Sequence, residues 1–93
     1  MSCYAITPMG VIESDPLIAR AEAKHLARTD QLVIVADSSK FEARGSMVVC
    51  PLTRVHALVT DSGAPSAMLD LIRSQGVEVI VAGDTELRAL SAA

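Results

Sequence analysis

The sequence predicts an α/β domain: an open, mostly parallel, Rossmann-like sheet of about four short strands with flanking helices. Three observations lead there. The order VHALVT, SAMLDLIRSQ, VEVIVA reads as strand, short helix, strand; such a βαβ unit needs a right-handed crossover and gives parallel strands. QLVIVA, Gln31 to Ala36, is an unbroken aliphatic run, as in a strand covered on both faces. An alanine-rich helical stretch precedes it and supplies a further layer.

Taken in order, Cys3 to Thr7 suits a short strand, and Pro8 with Gly10 implies a turn. Asp15-Pro16 is a helix start: Asp at the N-cap accepts a free backbone N–H, and Pro suits the first helical position. LIARAEAKHLAR follows, and Thr29-Asp30 should end it. Leu17 and Ala21 share one face of this helix, with Ile18 and His25 near it; Ala19, Ala23, Leu26 and Ala27 line the adjacent face. Small residues of this kind let the helix approach a flat partner closely, and His25 is expected at that helix–sheet interface. After QLVIVA, residues Asp37 to Ser46 are polar and form a loop or a short helical turn. Met47 to Cys50 is a short strand stopped by Pro51. Val55 to Thr60 is the next strand, with His56 as a core or interface histidine. Ser66 to Gln75 is a helix turning Met68, Leu69, Leu71 and Ile72 inward, and Gly76 follows its end. Val77 to Ala82 is the last strand, and Gly83-Asp84 begins a weak terminal helix through Leu90.

The chain has 93 residues, 51% of them hydrophobic, with one Phe, one Tyr and no Trp. Its core must therefore be aliphatic, and a single small domain is expected over residues 1–93. The surplus of apolar residues also suggests cover by a partner chain or by a missing segment, and self-association is expected. The net charge is −3 with no Lys/Arg cluster, so nothing here supports a nucleic-acid or membrane surface. No run approaches the ~20 apolar residues of a membrane span. Cys3 and Cys50 fit reduced, buried thiols of a cytoplasmic protein. With His25 and His56 they have no metal-ligand spacing, so neither metal nor cofactor is expected.

Ligands of open parallel sheets collect beyond the carboxyl ends of the strands. Two polar clusters fall there: Asp37, Ser38, Ser39 and Lys40, and Thr60, Asp61 and Ser62 beside Gly63. If their strands are parallel, the clusters share one rim. Lys40 offers a mobile cation with three donors, and the serines add hydroxyls, a combination suited to phosphate or an oxygen-rich ligand carrying it. Asp37 would accept from sugar hydroxyls or hold the local backbone. The competing readings are a turn cap for Asp37 and a turn former for Asp61. Glu22, Lys24 and Arg44 are weaker ligand candidates, each more simply read as a solvated side chain. No glycine-rich phosphate loop and no nucleophile elbow is present.

The ordered combination IVADSSKF, MVVCPLTRVHALVTDSG, short helix, GVEVIVA resembles the C-terminal part of the DeoR family of bacterial transcriptional repressors. The resemblance covers roughly Asp15 to Ala82. It implies a sensor domain similar in fold to ribose-5-phosphate isomerase and glucosamine-6-phosphate deaminase, taking a phosphorylated sugar. Asp37 and Lys40 match the family's ligand-side D-x-x-K, and Asp61 matches the acid of its TD pair. Glu22 and Lys24 match, more loosely, an E-x-K element of the isomerase relatives. Glu42 departs from the small residue usual after SSKF. No DNA-binding domain is present, so DNA contact would come only through an N-terminal winged helix-turn-helix outside these residues. The expected function is thus a partial, non-enzymatic effector-sensing domain; the alternatives are an isomerase-like fragment and an α/β dimerisation module.

Overall fold

The computed structural model describes residues 1–45 and 47–83, arranged as two three-stranded sheets and two helices. The chain opens with a hairpin, β1 (Ala5–Thr7) and β2 (Gly10–Glu13). Gly10 turns it at φ 134°, where a side chain would put Cβ 2.1 Å from the carbonyl oxygen of Cys50. Strand β2 then pairs antiparallel with β4 (Met47–Cys50), giving the sheet order β1-β2-β4. The second sheet is parallel, in the order β3-β5-β6, from β3 (Val33–Val35), β5 (Ala57–Asp61) and β6 (Glu78–Ala82).

The helix-bearing segments follow the expected start and stop signals. Helix α1 (Pro16–Leu26) begins where Asp15 Oδ1 accepts the Leu17 N–H at 2.8 Å, with Pro16 in the first turn. Helix α2 (Ser66–Ser74) buries Leu69 and Ile72 and makes the crossover between the parallel neighbours β5 and β6. The expected terminal helix lies outside the described residues.

Several expectations are corrected. The single open sheet of four strands is replaced by two sheets, because Met47–Cys50 pairs antiparallel with β2 and does not join the parallel ladder. Gly10–Glu13, buried at all four positions, is a strand that the turn signal at Pro8 and Gly10 concealed. QLVIVA is covered on one face: Ile34 is buried, Val33 is exposed and Val35 half-buried. Helix α1 packs on β4 and β2, turning Leu26 inward with Ala19 and Glu22 half-buried, while Leu17 and Ile18 face outward. His25 and His56 are both exposed, not interface or core residues.

One aliphatic core joins the sheets. Ile6 and Val11 from the hairpin meet Ile34 and Leu58 from the parallel sheet and Ile72 from α2. A cavity of about 10 Å³ remains among them, lined only by aliphatic side chains. It is water-sized at most and without polar partners, so it stays dry and is no ligand site. Arg54 closes the far side. Its Nη2 donates to the carbonyl oxygens of Leu26 at 2.7 Å and Thr29 at 2.6 Å, supplying partners and positive charge to carbonyls at the end of α1. Arg54→Ala should therefore lower unfolding free energy by about 1–3 kcal/mol, read by urea denaturation. Arg54→Lys, a point charge without the guanidinium fork, should recover only part of it.

Candidate functional site

Strands β3 and β5 are parallel neighbours, with Val35 opposite Val59, so both chains leave the sheet at the same edge. After β3, Asp37 caps a 3-10 turn, Ser38–Phe41. Its Oδ1 accepts the Ser39 N–H at 2.9 Å and also the Ser39 hydroxyl. After β5, Asp61 ends the strand buried at 8% exposure. Its Oδ2 accepts the Ser38 N–H at 3.0 Å, and its Oδ1 accepts the Gly63 N–H at 2.8 Å. The two polar turns are thus one rim, joined by a carboxylate of one strand gripping the backbone beyond the other.

These contacts divide the candidate residues by what they have left to offer. Asp61 uses both oxygens on backbone donors and so ties the two turns together. The Ser38 N–H bond and the Gly63 N–H bond favour its charged form against the cost of burial and hold its carboxyl below the usual aspartate range. Asp37 has one oxygen engaged in its cap. Ser38 and Lys40 are half-buried and Ser39 exposed; no carboxylate lies within ion-pair distance of Lys40 among the described residues. Phe41 packs against the core and anchors the turn that carries Lys40.

Of the weaker candidates, Glu22 acts with the rim's Lys40 on the Cys3 thiol, in opposite senses. Lys24 lies on the exposed side of α1 and Arg44 is exposed beyond the 3-10 turn; among the described residues no hydrogen bond or ion pair ties either to the rim. Glu22 sits on the inward side of α1, and its Oε2 is buried without a partner. Burial, and secondarily the charge of Glu13, push its carboxyl up, with the N-terminal ammonium opposing. Glu13 is itself buried, with Oε1 accepting the Ser14 N–H at 2.9 Å. Burial pushes the Cys3 thiol up to about 12 and raises that of Cys50. Among the described residues no group of His, Cys, Asp and Glu could hold a metal ion, and no helix is long and apolar enough to cross a membrane.

The sequence reading missed two features of the rim. Gly63 is needed for close approach: a Cβ there would lie 2.8 Å from Ser38 Oγ and 3.1 Å from Asp61 Oδ1. The glycine was visible in TDSG, but its contact with Ser38 spans two turns and leaves no local pattern. Thr60, on the central strand, is 0% exposed with Oγ1 unpartnered; a threonine in an apolar strand gives no sign of that.

The model of the DeoR C terminal sensor domain matches residues 1–62. The chain belongs to that family. Among similar curated proteins is the "HTH-type transcriptional regulator UlaR" of Escherichia coli strain K12 / DH10B, 32% identical over 75 residues. The proteins of the same name from Escherichia coli O157:H7 and Shigella boydii serotype 18 match equally. The alignment takes in 81% of this chain and 30% of each relative, so the chain spans under a third of their length. No solved structure matches. As a DeoR-type sensor segment, the chain carries VADSSKF and LVTDSG, the two stretches that the rim joins, within or at the limit of the matched residues.

Two outcomes test the clamp in this sensor segment. Gly63→Ala should destabilise by about 1–3 kcal/mol through overpacking, and adding Ser38→Ala should recover part of it by removing the nearest oxygen; denaturation of the single and double variants measures both. Asp61 is bound more tightly as a carboxylate when folded, so its contribution is complete above the unfolded carboxyl pKa of about 4 and lost as pH falls through the lower folded value. Asp61→Asn should flatten the acid limb of a stability–pH profile in that window and lower stability at pH 7.

Proposed function

We propose that this rim is the effector-binding edge of a DeoR-type sensor, and that its effector is a phosphorylated sugar. The observation that carries the reading is the Ser38 N–H to Asp61 Oδ2 bond, because it brings both polar turns to the carboxyl edge of adjacent parallel strands. That edge is where such sheets receive ligands. In this reading Lys40 supplies the cation for the phosphate, and the hydroxyl oxygens of Ser38 and Ser39 with the free oxygen of Asp37 accept from the sugar hydroxyls. Asp61 and Gly63 fix the positions of these groups without touching the ligand.

The mechanism is regulatory and not chemical. A bound sugar phosphate shifts a regulator only if it has unequal affinity for two arrangements. The DNA-binding half of that response would reside in a helix-turn-helix region, as the relatives' name indicates for them, within a cytoplasmic regulator. Turnover is not part of the proposal: Glu22, the nominal base, faces the antiparallel sheet from α1 and is joined to the rim by no described contact.

Calorimetric titration with a panel of hexose and pentose phosphates tests this. At least one should bind in competition with inorganic phosphate, and Lys40→Ala should weaken it about tenfold or more while leaving the fold intact by circular dichroism. Binding that survives Lys40→Ala unchanged, or no binding across the panel, would remove this rim as the effector edge.

A further inference from the structure

The parallel sheet has two unequal edges. The edge of β3 is occupied: the N-terminal ammonium of Met1 donates to the Val33 carbonyl at 2.9 Å, and the Val35 N–H donates to the Met1 carbonyl at 2.9 Å. Among the described residues nothing pairs with the outer side of β6. That strand also lacks the features that usually protect an edge. It has no proline, no bulge and no lysine, and its one charge, Glu78, stands at its first residue. Ile80 is 44% exposed and Val81 47% exposed, on opposite faces of the sheet.

The hydrogen-bond phase of this edge can be read from the structure. The Glu78 N–H donates inward to the His56 carbonyl. Alternation along a strand then turns the backbone groups of Ile80 and Ala82 inward as well, and those of Val79 and Val81 outward. We infer that β6 is a self-association edge, pairing antiparallel with β6 of a second copy about a two-fold axis through Ile80.

That register follows from three constraints. Ile80 is the midpoint of Glu78–Ala82, so this axis alone keeps all five strand residues paired. It places Val79 opposite Val81 of the second copy, where both outward-facing residues exchange N–H and C=O bonds, and the symmetry repeats the exchange. It also places Glu78 opposite Ala82, so no like charges meet. Ile80 faces its own copy in a non-hydrogen-bonded pair, the closer kind, with Cα atoms about 4.5 Å apart. One pairing covers both exposed aliphatic side chains of the strand and extends the parallel sheet across the axis. The interface is isologous, as two-fold pairing requires, and small, so its affinity belongs to the weak class.

Sedimentation equilibrium of the whole chain should show a monomer–dimer equilibrium that shifts with concentration. Ile80→Lys, which sets two ammonium groups face to face, should weaken it about tenfold or more with unchanged circular dichroism. Register is tested by cysteine placement with oxidised glutathione. Ile80→Cys should cross-link rapidly, since its geometry suits a disulfide. Glu78→Cys should not, its two copies being offset by about 13 Å along the strands. Buried Cys3 and Cys50 keep the background low. A chain that stays monomeric at all concentrations, or equal cross-linking at positions 78 and 80, overturns the proposal. So does dimerisation that appears only after residues 84–93 are removed, which would assign the edge to those residues.

Discussion

The candidate site depends on one buried carboxylate. Asp61 ends the central strand and accepts backbone N–H groups from both turns of the rim. A carboxylate at 8% exposure is costly unless hydrogen-bonded, and here each oxygen has a donor fixed by the backbone. The bond to Ser38 crosses between strands, whereas the bond to Gly63 is local. Together they set the separation of two loops that have no regular ladder between them. A neutral side chain of the same shape has only one acceptor and cannot replace both contacts.

The clamp works because the elements behind it are rigid. Ile34, opposite Leu58 in the parallel register, faces the same core as Ile6 and Val11 of the hairpin. The 3-10 turn that carries Lys40 packs against β1 and is pinned by Phe41. A cation at the rim is therefore held by both sheets at once. That is the physical value of the second sheet: it does not contribute a strand end to the edge, but it supports the turn from behind.

Local chemistry made part of this legible. Asp15-Pro16 announced its helix because cap and proline act within one turn of their own positions. The order β5, α2, β6 indicated parallel neighbours because a helical crossover carries the chain back to the end where the first strand began. The common edge of the acid-hydroxyl-amine turn and the Thr-Asp turn depended on β3 running parallel to β5, a tertiary pairing that the order alone left as a condition. Sheet membership was not legible. MVVC and VIVA are equally aliphatic, and nothing in either says which ladder it joins. The inward side of α1 was obscured by its alanines, which make several faces nearly equivalent; Glu22, not Leu17, turns toward the sheet. His56 misled because it stands beside an apolar run yet precedes the first paired residue, Ala57. Contacts between turns, such as Gly63 against Ser38, are set by tertiary approach and have no signature in sequence order.

The arrangement also constrains how a ligand at this edge could act. The clamp fixes the two turns to each other, and Asp37 and Lys40 stand on one turn, so a ligand held by both would not draw the loops together. Its differential affinity must arise instead from contacts beyond the clamp, where Ser39 is exposed and Lys40 is free of an ionic partner among the described residues. Rigid strands and a common core would then carry any displacement of the 3-10 turn into β1 and the antiparallel sheet, because packed interiors shift as discrete units and do not deform continuously. The hairpin side of the molecule, and not the outer side of β6, is thus the direction in which binding at the rim would be transmitted.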